Sequence, residues 1–150
     1  MKNIFEETYN KVQELNRIYH SEEGKDEKVQ EGLRAEYQKA MNRIAAKAGE
    51  NKQTYKQIWR AYEKSRDNEN EILNFDDVIW DRDVEALAAC MKENGIREFT
   101  YSCRATDAIE TLWLFKEAGC EIGEMIEVNL RKGFMGKGYE KAHAFKMSIR

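Results

Sequence analysis

The residues best suited to chemistry in this sequence fall into three groups. The first is an acidic knot around Trp80, made of Asp76, Asp77, Asp81 and Asp83, followed later by Glu121, Glu124 and Glu127. Clustered carboxylates can hold a divalent cation. Spread over a surface, they can instead imitate phosphates to a basic nucleic-acid channel. No EF-hand-like spacing and no HxxE partner accompanies the four aspartates, so helix capping and solvated charge account for them and no metal is expected. Acid–base catalysis needs two carboxyls at a set separation, and spacing alone selects no such pair among 28 acidic residues.

The second group is the turn Ser102-Cys-Arg-Ala-Thr-Asp107, which follows a strand-like stretch and opens a helix. Free N–H groups at a helix start beyond a strand's carboxyl end suit an anion. Arg104 would clamp it, with Ser102, Thr106 and Asp107 bonding around it. The glycines of a dinucleotide or P-loop fingerprint are missing, however, and Ser, Thr and Asp are what any helix start uses. Cys103 beside Arg104 is where a reactive thiol would sit, but no histidine is spaced to activate it.

The third group lies in Leu130-Arg-Lys-Gly-Phe-Met-Gly-Lys-Gly-Tyr139. Arg131, Lys132 and Lys137, interleaved with glycine and aromatic residues, could grip a phosphate or a nucleic acid. The same composition also serves an ordinary hairpin loop. Of the two histidines, His143 falls on the apparently apolar face of a strand and reads as a core or rim residue. No residue is assigned a catalytic role and no cofactor is implied.

The elements that must position these groups follow from periodicity. Residues 3–20 carry Phe5, Tyr9, Val12, Leu15 and Tyr19 at helical spacing, and Gly24 then ends the turn with a positive φ expected. Residues 26–48 carry a second stripe closed by Gly49, and residues 52–70 a third with Tyr55, Ile58, Trp59 and Tyr62. Beyond residue 73 the texture changes. Residues 75–80 read as a short strand or equally as a lead into the helix that follows. Asp81 or Asp83 would cap a helix bearing Val84, Leu87, Ala88 and Met91. Residues 96–102 alternate as a strand, and Asp107 with Glu110 forms a capping-box pattern for the next helix, with Ile109, Leu112, Trp113 and Phe115 as its apolar side. Residues 121–130 alternate with Gly123 as a bulge candidate, and residues 142–149 form a last strand antiparallel to it.

The expected fold is α+β in the order ααα-(β)αβαββ. A helical region, 1–72, precedes a small αβ domain with a mixed sheet, 73–150. Net charge is −3 but uneven: residues 1–75 balance 14 basic against 14 acidic side chains, residues 76–130 carry 5 against 13, and residues 131–150 carry 6 against 1. The acidic block and the basic tail either form two faces or neutralise each other in the fold. No apolar run approaches the ~18 residues of a membrane span, and the first ten residues hold no apolar signal core. The three cysteines, odd in number and without a CxxC pair, read as free thiols of a reducing cytoplasm. Tyrosine-rich faces in the first three helices would give a partner or homodimer surface if they project.

Asn94-Gly-Ile-Arg-Glu-Phe-Thr-Tyr101, Glu110-Thr-Leu-Trp-Leu-Phe115, Gly119-Cys120 and Val128-Asn129 together resemble a small domain seen in accessory proteins of Firmicutes phages and integrated mobile elements. The resemblance covers residues 81–129 and carries over no catalytic residue. It implies a genetic neighbourhood whose small proteins often block a host defence system. The expected role is therefore a non-enzymatic, anti-CRISPR-like inhibitor that binds a host defence protein such as a nucleic-acid-guided nuclease, with the acidic residues as its surface. A nucleotide-binding module at the 102–107 turn and the glycine loop, or nucleic-acid binding through the basic tail, are the alternatives.

Overall fold

The computed structural model describes residues 3–150. Three helices come first: α1 (Ile4–Tyr19), α2 (Glu27–Ala48) and α3 (Lys52–Asp67). They are followed by β1 (Asn74–Phe75), α4 (Asp81–Glu93), β2 (Glu98–Tyr101), α5 (Ala108–Glu117), β3 (Cys120–Lys132) and β4 (Tyr139–Ile149). The fold is α+β, as the order of periodicities predicts. Among the described residues, no helix is long and apolar enough to cross a membrane. The chain divides into two compact units, the first ending at Tyr55 and the second running Lys56–Arg150. The division thus falls inside α3, ahead of the change of texture at residue 73.

In the first unit, Asn3 caps α1 by accepting from the Glu6 N–H at 2.9 Å. Asp26 caps α2 through the N–H groups of Lys28 and Val29. Capping oxygens of this kind satisfy donors that no helical carbonyl reaches. Ile4, Phe5, Val12 and Leu15 of α1 are buried, as are Ala40, Ile44 and Ala48 of α2. Phe5 packs on Tyr55 with ring centroids 5.6 Å apart. The N-terminal half of the α2 stripe is only partly covered, and Tyr37 is exposed. Gly24 departs from expectation: it is not among the residues with positive φ. Its glycine is required by close approach, since a Cβ there would lie 2.2 Å from the Tyr19 carbonyl oxygen.

In the second unit the sheet order is β1-β2-β4-β3, with β1 parallel to β2 and the other pairs antiparallel. β4 is therefore inserted between β2 and β3, which run parallel to each other. One face carries Phe99, Tyr101, Phe145 and Met147, in register across β2 and β4. α5 covers it by packing Phe115 on Phe99 and Tyr101, at centroid distances of 5.0 and 6.2 Å. α4 lies beside α5 and buries Val84, Leu87, Ala88 and Met91. The opposite face carries Thr100 and a cluster of Val128, Ala142 and Ala144 flanked by Ile126 and Leu130. β4 thus buries alternate residues of one parity at its start and of the other at its end, because each half meets a different covered face.

Several local expectations are corrected. The strand predicted at 75–80 is the two-residue β1, and the chain from Asp77 to Trp80 is irregular. The cap position of α4 is Trp80, not Asp81 or Asp83, and no side chain caps it. The two aspartates instead fall in the first turn, where they complement the helix dipole. Asp107 occupies the cap position of α5 but makes no capping bond, so the capping box with Glu110 does not form. His143 is exposed on β4, facing away from the Ala142–Ala144 cluster. The bulge predicted at Gly123 is present as a register shift between Ile122 and Met125. A Cβ at Gly123 would stand 2.9 Å from the Lys146 carbonyl oxygen.

Candidate functional site

Large apolar side chains are left in solvent along the seam of α5 and β3. The buried side of α5 carries Thr111 and Phe115, and the flank toward α4 carries Leu114 and Ala118, which line an open groove of about 660 Å3 between the two helices. The 3.6-residue period puts Trp113, two residues from both Thr111 and Phe115, on the outer side of the helix, with Ile109 one turn before it. Ile109 and Trp113 are 77% and 53% exposed. β3 leaves α5 through a short turn at Gly119 and runs back beside it. About five residues of strand and nine of helix, roughly 16 and 14 Å, bring Met125 level with Ile109. Ile122 and Met125 pair with Met147 and Phe145, so they share the face that α5 covers, yet stand 40% and 57% exposed. Ile109 and Trp113 on α5 and Ile122 and Met125 on β3 are thus the exposed apolar residues of two neighbouring elements, the α5–β3 strip. Lys116 lies 5.5 Å over the Trp113 ring, a cation–π contact that restrains the indole.

β3 is an edge strand, and its backbone is half protected. Asn70 accepts from the Asn129 N–H at 3.0 Å and donates to the Asn129 carbonyl at 2.7 Å, which imitates a strand neighbour. Asn68 donates to the Leu130 carbonyl at 3.1 Å, and Asn129 donates back to the Asn68 carbonyl at 3.0 Å. These bonds cover a second bulge, between Asn129 and Arg131. The clamp does not reach the N-terminal half of β3. The Ile149 N–H donates to Arg97 on the β2 side, so β4 residues of that parity turn their backbone groups away from β3. Their partners Ile122, Met125 and Glu127 accordingly turn their own N–H and C=O groups outward.

A buried polar seam ties α3 to the sheet. The Ser65 hydroxyl accepts from the Asn74 N–H at 2.8 Å, Thr100 donates to the Asn74 side-chain oxygen at 2.8 Å, and Asn74 donates to Ser102 at 3.1 Å. All four side chains are buried. With the asparagine clamp, this seam anchors the end of α3 to β1 at one sheet edge and to β3 at the other.

The acidic residues singled out in the sequence do not form one surface. Asp76 and Asp77 follow β1, and Asp81 and Asp83 open α4. Glu121, Glu124 and Glu127 lie on β3, three strand spacings or about 14 Å across the sheet. Asp76 pairs with Lys64, Glu121 with Arg150, and Glu127 with Lys141 at 3.1 Å. Acidic block and basic tail thus meet on the β3–β4 ribbon, where Arg131 also pairs with Glu140 at 2.8 Å. Among the described residues, no three His, Cys, Asp or Glu side chains converge as metal ligands would.

The 102–107 turn closes on itself. Ser102 is engaged by Asn74, and the Cys103 sulfur accepts from the Ala105 N–H at 3.4 Å. Burial pushes the Tyr101 phenol far above its ordinary range; a hydrogen bond with Thr111 opposes that shift and contact with Cys103 adds to it. Arg104, Thr106 and Asp107 point to solvent. Tyr101 is opposite Phe145, and the glycine loop begins six residues further along β4. Arg131 and Lys132, opposite Glu140 and Tyr139, therefore lie roughly 16–20 Å along the sheet from the level of Tyr101. At the hairpin tip Phe134 and Met135 are 88% and 81% exposed. The three cysteines are free thiols, two of them buried.

The α5–β3 strip was missed in the sequence because Ile109, Trp113 and Ile122 fit core periodicity. The signal against core was the width of the α5 stripe: Ile109, Leu112, Trp113 and Phe115 span more of the helix than one packing face can bury. Residues 57–149 match a family described as a domain of unknown function, DUF7698. No curated protein and no solved structure matches the chain.

Proposed function

We propose, from the premise that this chain belongs to the DUF7698 family, that it is a non-enzymatic interaction protein whose working surface is the α5–β3 seam. The observation that carries this reading is the exposure of Ile109, Trp113, Ile122 and Met125 on two neighbouring elements of an anchored scaffold. Monomeric soluble proteins rarely leave such side chains adjacent, and tryptophan and methionine are enriched where partners bind. The resemblance of residues 81–129 to accessory proteins of phages and mobile elements supplies the class of partner, a host defence protein met in the cytoplasm, with a nucleic-acid-guided nuclease the leading kind. Inhibition follows if docking at the seam blocks the nuclease's substrate channel or its closure.

A continuous acidic mimic of nucleic acid is the less supported form of this reading, because three of the seven acids are ion-paired and the set is divided between two sheet edges. The test is a tagged pull-down from nuclease-treated host lysate, comparing the unaltered chain with Trp113→Asp and Ile109→Asp. One stoichiometric partner lost in both variants is expected. A clean bait, or a partner retained undiminished by both, would refute the assignment of the seam.

A further inference from the structure

The open half of β3 has a chemistry narrower than apolar contact. Along Cys120–Glu127 there are three glutamates and no cation. Ile122 and Met125 project to the α5 face. Glu121, opposite Ser148, projects to the other face, and Glu124 lies in the bulge that follows Ile122. Glu121 pairs with Arg150 at the molecular surface, where both groups are more than half exposed, and such a pair exchanges readily for another. Between the two faces, Ile122, Met125 and Glu127 direct their backbone N–H and C=O groups outward.

We infer that this stretch is a strand-addition site for an extended segment of another protein in which apolar residues alternate with lysine or arginine. The inference rests on the interaction-protein reading and names its partner's chemistry. Main-chain hydrogen bonds to an exposed sheet edge supply affinity, and alternate side chains supply specificity. Residues of the added strand on the α5 face meet Ile122 and Met125, with Glu127 closing that face at its end. Residues on the other face meet Glu121 and Glu124. An alternating apolar and basic segment satisfies both faces at once.

A second copy of β3 does not. It would bring three more glutamates and no cation to an edge that already carries three, and like charges set across a ladder destabilise it. The clamp by Asn70 fixes the limit of the site, because the backbone groups of Asn129 are already taken. The added strand therefore ends short of Asn129, and the glycine loop takes no part.

The test uses the full chain, isotopically labelled, with a capped peptide of about eight alternating lysine and valine residues, long enough to cover the stretch. Calorimetry and amide spectra are followed as the peptide is added. Binding is expected with shifts centred on residues 120–127 and slowed exchange of the Ile122, Met125 and Glu127 amides. N-methylation of the peptide residues that face β3 is expected to weaken binding about tenfold or more. An alternating glutamate and valine peptide is expected to bind several-fold more weakly, and Glu124→Lys to reduce that difference. Absence of binding, binding indifferent to N-methylation, or shifts centred elsewhere would each overturn strand addition. The two readings separate cleanly: a partner captured through Trp113 while the peptide fails leaves the seam standing and removes the strand site.

Discussion

Asn74 is the residue on which most of the second unit's polar economy converges. It binds Ser65 through its backbone, accepts from Thr100 and donates to Ser102, all within a buried seam. Removing its side chain takes a partner from two buried hydroxyl groups and leaves Thr100 only its longer contact with the Leu73 carbonyl, at 3.4 Å, so Asn74→Ala is expected to destabilise by about 1–3 kcal/mol in urea unfolding at an unchanged slope. A loss below ~0.5 kcal/mol would show that the seam is not satisfied in this way. Glu63 gives a residue-scale prediction of opposite sign. Burial on α3 raises its carboxyl above the ordinary value, and Asp67, one turn on, adds to the shift. A carboxyl raised in the folded state contributes stability that is fully present below its unfolded pKa and is lost as pH rises through the folded one. Glu63→Gln should therefore stabilise the protein slightly near neutral pH, by at most a few tenths of a kcal/mol for a group so open to solvent, and flatten the loss of stability that sets in as pH rises above the ordinary glutamate range. An unchanged melting profile would contradict it. Neither residue stood out in the sequence: Asn74 acquires its partners from Thr100 and Ser102, distant in the chain, and the burial of Glu63 depends on how α3 packs.

At the scale of elements, local chemistry was legible wherever neighbours in sequence decide it. The helical stripes of α1, α3 and α4, the bulge at Gly123 and the antiparallel β3–β4 hairpin all follow from spacing. What depends on a third element was not legible. Asp107 looks like a capping residue, yet Thr111 bonds the Asp107 carbonyl and turns to Tyr101, so the helix start is organised from inside. His143 sits in an alternating run, but the covered face changes along β4, which inverts its burial. Residues 68–70 read as the end of the third helix, but that helix stops at Asp67 and Asn68 and Asn70 turn to β3. Asn70→Ala removes both bonds to Asn129, and a cost of about 1–3 kcal/mol is expected, with faster hydrogen exchange at Asn129. Unaltered exchange there would mean the clamp carries no load. Gly24→Ala tests the corner between α1 and α2. A methyl group 2.2 Å from the Tyr19 oxygen forces the backbone apart, at about 1–3 kcal/mol. Retention of full stability would mean the corner relaxes freely.

At the scale of the whole molecule, composition announced a charge asymmetry but not how it is spent. The basic tail is β4, which lies in the sheet beside β3, so Lys141 and Arg150 are placed against the acids of the preceding strand. Topology also separates the acids: inserting β4 between β2 and β3 puts Glu121, Glu124 and Glu127 on the edge opposite β1, the strand after which Asp77 and then Asp81 and Asp83 of α4 follow. This separation turns the two forms of the functional reading into different experiments on one chain. An acidic mimic tracks net charge, so reversing either trio to lysine would weaken partner capture comparably, and strongly in low salt. A seam that recruits a partner at β3 depends on the far edge alone. Reversing Glu121, Glu124 and Glu127 is expected to reduce capture by tenfold or more, on the order of 1.4 kcal/mol, while reversing Asp77, Asp81 and Asp83 changes it less than about twofold. Both triple variants alter mostly exposed carboxylates, and circular dichroism and melting establish that each remains folded. Equal losses from the two would return the argument to the mimic. An effect confined to the aspartates would move the working surface to the α4 side, where the groove with Leu114 and Ala118 becomes the place to look.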